Sequence, residues 1–258
     1  MTGSTKRVSV VTGGASGIGA ACVRELAANG DLVIAVDRDL AKAQAVAAEI
    51  GGRAYAADVG DEQGVETCAA AIERECGPVD VLVNSAGIIQ VPVRPHDLPM
   101  SAWDDVVRVD QRGTYVACLA FARGMIGRKR GSIVNIASIA GMRSMPLHAY
   151  APAKAAVIAI TECLAAEWGP SGVRVNAVCP GWVKTEMDVA DQAGGGYNDA
   201  DIEGVNPMGR FAKPEDIAQA ILFLAEPERS GFVNGHTLVV DGGWTSDGSW
   251  QSLRMKKR

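Results

Sequence analysis

Ser138, Tyr150 and Lys154 bring a hydroxyl, a phenol and an ammonium into one short stretch of the chain. Tyr150 and Lys154 are four residues apart, so on a helix their side chains share one face. A cation beside a phenol favours the phenolate and lowers its pKa towards neutrality, which makes the tyrosine a usable acid or base. Ser138 ends an apolar run, where its hydroxyl could bond the oxygen of a substrate carbonyl. Together the three groups suit proton transfer to or from a carbonyl or alcohol oxygen. The spacing alone also fits a surface i,i+4 pair, so the flanking elements decide between the two.

Those elements alternate. Residues 7–12 form a β-branched run, GGASGIG follows at once, and an Ala/Leu/Val helical pattern covers 18–28. Strand, glycine loop and helix aim helix N-terminal N–H groups at a phosphate. Gly13, Gly17 and Gly19 supply the tight turn and the close backbone approach, in a spacing that differs from G-x-G-x-x-G by where the extra residues fall. The next apolar run, 32–36, closes on Asp37, where a carboxylate would bond ribose hydroxyls and repel a 2′-phosphate. NAD(H) is therefore expected over NADP(H), although the neighbouring Arg38 works against that preference.

Further strands are expected at 53–57, 79–83, 132–137, 173–178 and 237–240, with helices at 40–50, 61–76, 101–126, from Tyr150 onward and at 214–225. Such alternation means βαβ units. The expected fold is α/β: a single doubly wound, Rossmann-like domain over residues 1–258, with a parallel sheet of about seven strands and helices on both faces. Ligands bind at the carboxyl ends of such strands. Thr12, Asp37, Asp58, Asn84, Ser138 and Pro180 all fall at that edge.

Composition agrees. The chain is 48% hydrophobic and 21% charged, enough to bury a sizeable core. A net charge of −5 argues against nucleic-acid binding. Basic clusters at Arg128, Lys129 and Arg130, and at Arg254, Lys256, Lys257 and Arg258, read as solvated turns and a tail. The six cysteines are scattered without Cys-x-x-Cys pairs, as in a reducing compartment, and nothing resembles a metal site. The chain shows no signal-peptide core and no transmembrane run, so a cytoplasmic location and no membrane partner are expected.

The residues then carry a resemblance. Thr12-Gly13-Gly14-Ala15-Ser16-Gly17-Ile18-Gly19, the turn Asn84-Ser85-Ala86-Gly87, Ser138 twelve residues before Tyr150, Tyr150 with Lys154, Pro180-Gly181 with Thr185, and Val240-Asp241-Gly242-Gly243 occur in order over nearly the whole chain. The chain resembles the short-chain dehydrogenase/reductase family of NAD(P)-dependent oxidoreductases. The resemblance implies that Tyr150 is the general acid/base, that Ser138 orients the substrate oxygen, and that Lys154 tunes Tyr150 and holds the nicotinamide ribose. It implies a cofactor path over Gly13, Ser16, Gly17, Ile18 and Gly19, with Asp37 at its ribose. Asp58 and Val59 would contact the adenine, and Asn84, Ala86 and Gly87 the adjoining ribose. Pro180, Gly181, Val183 and Thr185 would border the nicotinamide.

Three departures from the family pattern stand out. Ser85 replaces a second Asn. Pro152 lies between Tyr150 and Lys154, in the first helical turn where a missing N–H costs little. Asp110 stands where the family places an Asn that helps fix a helix kink and a water linking the lysine to solvent. An ionised Asp110 accepts the same bonds without donating, and its charge would raise the Lys154 pKa.

Substrate choice is expected from Met142, Arg143, Met145 and His148, from the residues after Gly87, and from a lid at about 186–211. The family also implies self-association to a homotetramer or dimer through the helices around 115–125 and 157–168, and a tail carrying Trp250 could reach a neighbouring subunit. The expected reaction is reversible hydride transfer between NAD(H) and a secondary alcohol or ketone of polyol, sugar or cyclic alcohol type. A 3-oxoacyl-thioester reductase acting on an acyl carrier protein is the near alternative. A non-catalytic NAD-binding sensor or scaffold is the alternative from another class.

Overall fold

A computed structural model describes residues 6–192 and 196–247. The chain runs β1 (Val8–Thr12), α1 (Gly17–Ala28), β2 (Leu32–Asp37), α2 (Leu40–Glu49), β3 (Arg53–Ala56), α3 (Glu62–Cys76) and β4 (Val79–Asn84). It continues through α4 (Met100–Val106), α5 (Thr114–Arg128), β5 (Gly131–Ile136), α6 (Tyr150–Trp168), β6 (Val173–Pro180), α7 (Glu186–Gln192), α8 (Asp199–Val205), α9 (Pro214–Ala225) and β7 (Thr237–Val240). All strand pairs are parallel, in the order β3-β2-β1-β4-β5-β6-β7. The doubly wound sheet of seven strands is therefore the one expected from the sequence.

Strands covered on both faces must be apolar on both, and β1, VSVVT, is buried at every position. Val11 packs on one face with Ala21, Val23 and Leu26 of α1 and Ile217, Ile221 and Leu224 of α9. Val8 and Val10 pack on the other with Ile72 of α3, Phe121 and Met125 of α5, and Leu164 and Trp168 of α6. The chain moves outward from β1 to β3 and then returns to place β4 on the opposite side of β1. This reversal opens a crevice between the carboxyl ends of β1 and β4.

One expectation is corrected. The helix expected over 101–126 runs from Met100 to Arg128, but it is not regular: between α4 and α5 the chain takes a π-helical turn over Val107–Gly113. Asp110 lies within it. Its side chain is fully buried, its Oδ1 accepts from Ile88 N at 2.8 Å, and its carbonyl accepts from Thr114 Oγ1 at 2.7 Å. The widened turn directs a carboxylate inward where the apolar pattern alone predicts regular helix.

A buried chain of polar side chains links β4, β5 and α6. Asn84 donates to Asn135 Oδ1 at 2.9 Å, and Asn135 donates to Thr161 Oγ1 at 2.9 Å. All six cysteines are free thiols. The basic turn after α5 is engaged by acids: Arg128 lies 3.3 Å from Glu73 and Arg130 2.7 Å from Asp80. The tail that contains Trp250 and the second basic cluster lies outside the described residues. No described helix is long and apolar enough to cross a membrane.

Candidate active site

The glycine loop is shaped by backbone approach. Gly13 has φ +65°, and a Cβ there would stand 2.7 Å from Ala86 Cα, so only glycine lets β1 and the β4 turn close this gap. Thr12 Oγ1 ties the same two loops by accepting from Ser85 N at 3.3 Å and Ala86 N at 3.4 Å. Ser16 caps α1 without a side-chain bond, so the first-turn N–H groups keep their positive end towards the crevice.

A cleft of about 350 Å³ runs along this edge. Gly13, Ser16, Gly17, Ile18, Asp37, Asp58, Val59, Ala86, Gly87, Asp110, Tyr150, Lys154 and Thr185 line it. Gly19, Asn84, Ser138, Pro180, Gly181 and Val183 are not among its lining residues. Gly19 packs under the loop, where a Cβ would collide with the Gly13 carbonyl. Asn84 is buried and turned towards Asn135 and Cys118. Val183 forms a bridge with Ala212, and Gly181 packs against Asp241. Asp37 is fixed at the cleft by two backbone donors, Ala15 N at 3.2 Å and Asp39 N at 3.0 Å.

At the other end of the cleft stand Tyr150 and Lys154. Lys154 Nζ lies 5.4 Å from the centre of the Tyr150 ring and 3.1 Å from both Asp110 Oδ2 and Ile136 O. Ser138 opens a short turn, its Oγ accepting from Ala140 N at 3.1 Å. Burial raises the Tyr150 pKa; Lys154 and Ser138 pull it down, and Asp110 pushes it up. Burial would lower the Lys154 pKa, but Asp110 and Tyr150 outweigh it and raise the value above that of an ordinary lysine. Burial also raises Asp110, against the pull of Lys154 and the Ile88 N–H. A phenol beside a cation can take or give a proton at a substrate oxygen.

Two contacts at the site had no counterpart in the sequence reading. Gln90 Oε1 accepts from Ala149 N and Tyr150 N at the start of α6. Arg143 Nη2 donates to Thr245 O at 3.2 Å, linking the loop after Ser138 to the turn after β7. Neither has a local signal, since the partners are far apart in the chain. Beyond the cleft, α7 and α8 are joined through Lys184, and Trp182 meets Tyr197 edge-on at 5.4 Å. No cluster of His, Cys, Asp and Glu among the described residues could hold a metal ion.

A family model described as enoyl-(acyl carrier protein) reductase matches residues 13–245. The D-threitol dehydrogenase of Mycolicibacterium smegmatis is 39% identical over 93% of this chain and 93% of its own length. The chain belongs to the short-chain dehydrogenase/reductase family. Galactitol 2-dehydrogenase (L-tagatose-forming) of Cereibacter sphaeroides is 41% identical over 92% of this chain and 94% of its own. A solved structure titled ribose-5-phosphate isomerase, from Brucella melitensis 16M, superposes with a TM-score of 0.95 at 44% identity, covering 99% of this chain and 98% of that one.

Two other family members bear on the cofactor. An NAD-dependent glycerol dehydrogenase of Listeria innocua is 34% identical over 93% of this chain and 94% of its own. The structure of ElxO with NADP bound has a TM-score of 0.87 at 31% identity, over 94% of this chain and 100% of that one. The cleft in this chain fits a nicotinamide dinucleotide: the close approach at Gly13, the open N-terminus of α1 and the half-buried Asp37 suit a pyrophosphate and a ribose.

Proposed function

We propose that this short-chain dehydrogenase/reductase transfers hydride reversibly between NAD(H) and a secondary alcohol or ketone of polyol type. The reading rests on one observation above all: Tyr150 and Lys154 stand at one end of a cleft whose other end is the glycine loop and Asp37. When bound, NAD supplies the hydride acceptor. In the oxidative direction Tyr150 Oη takes the proton of the substrate hydroxyl, and Ser138 Oγ orients the same oxygen. Lys154 stabilises the phenolate and, with its ammonium, the nicotinamide ribose. Asp110 positions Lys154 as its buried counter-ion. The names of the D-threitol, galactitol and glycerol dehydrogenases support a polyol as substrate.

NAD is favoured over NADP because a carboxylate at Asp37, already anchored by two N–H groups, repels a 2′-phosphate. Gly13, Ser16, Gly17, Ile18 and Gly19 hold the pyrophosphate end. Asp58 and Val59 border the adenine, Asn84, Ala86 and Gly87 the adjoining ribose, and Pro180, Gly181, Val183 and Thr185 the nicotinamide. The chain acts as a single domain with a lid at about 186–211, in the cytoplasm, as a homotetramer or dimer. Tyr115 and Leu119, 40% and 37% exposed on α5, suit the expected subunit contact. The acyl-carrier-protein reading is weakened by the pairing of Arg128 and Arg130 with acids, which leaves less free positive charge for an acidic carrier.

The test is a comparison of NAD+ and NADP+ reduction over a panel of polyols, cyclic alcohols and 3-hydroxyacyl thioesters. Reduction of NAD+ with a polyol is expected. A preference for NADP+, or turnover confined to thioesters, would contradict the proposal.

A further inference from the structure

The first turn of α6 is held from outside the helix. A helix leaves its first N–H groups without intrahelical partners. Ala149, at the N-cap, has no side chain that can accept, and Pro152 has no N–H at all. Ala151 N reaches back to Leu147 O at 2.8 Å. Ala149 N and Tyr150 N remain, and both donate to one atom, Oε1 of Gln90, which lies 3.1 Å from Tyr150 N and closer still to Ala149 N.

Gln90 sits in the loop after β4 and is 4% exposed. Two residues earlier in that loop, Ile88 donates to Asp110 and packs beside Ala149, Ala153 and Tyr150. One loop therefore grips both the counter-ion of Lys154 and the backbone of Tyr150. The choice of glutamine has a visible cost: its Nε2 is buried and meets no acceptor among the described residues. A glutamate would leave no such donor and would accept the same two N–H bonds more strongly at a helix N-terminus.

We propose that Gln90 is the positioning residue for Tyr150, its neutral carbonyl oxygen fixing the first turn of α6 while keeping a second buried negative charge away from the phenol. This rests on Tyr150 being the acid/base. The groups that bear on the phenol's charge include Lys154 on its own helix, Asp110 from the π-helical turn, Ser138 after β5 and Cys179 from β6. Burial pushes the Cys179 thiol up to about 11, so it is neutral. One cation and one carboxylate are thus already balanced around Tyr150, and a further carboxylate would tip the balance against the phenolate.

Gln90→Glu tests this, because it keeps the acceptor and the shape and changes only the charge. The two helix N–H bonds favour the ionised form of the introduced carboxylate against its burial. In alcohol oxidation the phenolate is the base, so the rising limb of kcat/KM should move to higher pH by about one unit, with NADH affinity and melting temperature preserved. Gln90→Leu, which removes the acceptor, should lower kcat by roughly 10- to 100-fold while leaving the KM for NAD+ near its original value. An unshifted profile in Gln90→Glu, or a Gln90→Glu chain that does not fold, would overturn the proposal. Loss of activity in both variants that merely follows melting temperature would do the same. Tyr150→Phe is measured alongside. If it retains turnover, the assignment of Tyr150 fails and the role of Gln90 with it; if it is inactive while both Gln90 variants match the original enzyme, only Gln90 is wrongly placed.

Discussion

Asp110 Oδ2 and Lys154 Nζ stand 3.1 Å apart with 0% and 5% of their side chains exposed, directly beneath Gly87. A Cβ on Gly87 would come within 3.0 Å of the Asp110 carboxylate. The pair is placed by two separate backbone contacts, Ile88 N to Asp110 and Lys154 to Ile136 O. Its consequence falls on a third residue. Asp110 offsets part of the positive charge with which Lys154 favours the Tyr150 phenolate.

Asp110→Asn should therefore change the pH dependence. Burial raises the Tyr150 pKa and Asp110 adds to that rise, so alcohol oxidation should increase with pH above neutrality. Asparagine keeps the acceptor for Ile88 N and removes the charge. Lys154, still held by Ile136 O, then acts on the phenol uncompensated. The rising limb of kcat against pH should move down by about one unit. A limb that stays in place or moves up would show that Asp110 does not act on Tyr150 in this way.

Asp37→Ser should relax the cofactor preference. The side chain accepts from Ala15 N and Asp39 N, so its charge is fixed beside the ribose site rather than free to swing away. The ratio of kcat/KM for NAD+ to that for NADP+ should fall at least about tenfold, equivalent to ~1.4 kcal/mol. Steady-state rates with both cofactors measure it.

Gly141 controls how closely the Ser138 turn approaches α6. A Cβ there would stand 2.7 Å from Ala155 N and from Lys154 C, and backbone cannot yield as a flexible side chain does. Gly141→Ala should push Ser138 away from Tyr150 and lower kcat by about 100-fold, since displacements near 1 Å cost that much. NADH affinity, read by fluorescence titration, should hardly change.

Lys184 joins the two short helices α7 and α8. Its Nζ is 3.1 Å from Asp188 Oδ2 and from Gln192 Oε1, bonds Asp199, and lies 4.9 Å from the Phe211 ring centre. Exposed pairs are individually weak, so the effect expected is on closure of the proposed lid and not on global stability. Lys184→Met should raise substrate KM roughly three- to tenfold with kcat within about a factor of two.

Much of this was legible in the sequence because it is local. The β-branched runs, the glycine loop and the Tyr150 to Lys154 spacing each repeat a short-range pattern, and together they imply the sheet, the crevice and the pair at its edge. What escaped depends on contacts across the fold. The family pattern implied a helix kink at Asp110, but no periodicity in 101–126 marks the π-helical form it takes, where Asp110 bonds Ile88 N and Thr114. Gln90 caps a helix that begins 60 residues later. Asn84 falls at the strand edge as expected, yet its side chain is drawn inward by Asn135, a partner visible only once β4 and β5 are paired.

The central claim is that Tyr150 carries the proton transfer, and Tyr150→Phe tests it most directly. The substitution removes one oxygen from a half-buried ring and leaves Lys154, Asp110 and the cleft in place. With a polyol that the original enzyme oxidises, turnover at saturating NAD+ should fall by about 10²- to 10⁴-fold while the Kd for NADH stays within a few-fold of the original value. Turnover within a few-fold of the original enzyme would contradict the account.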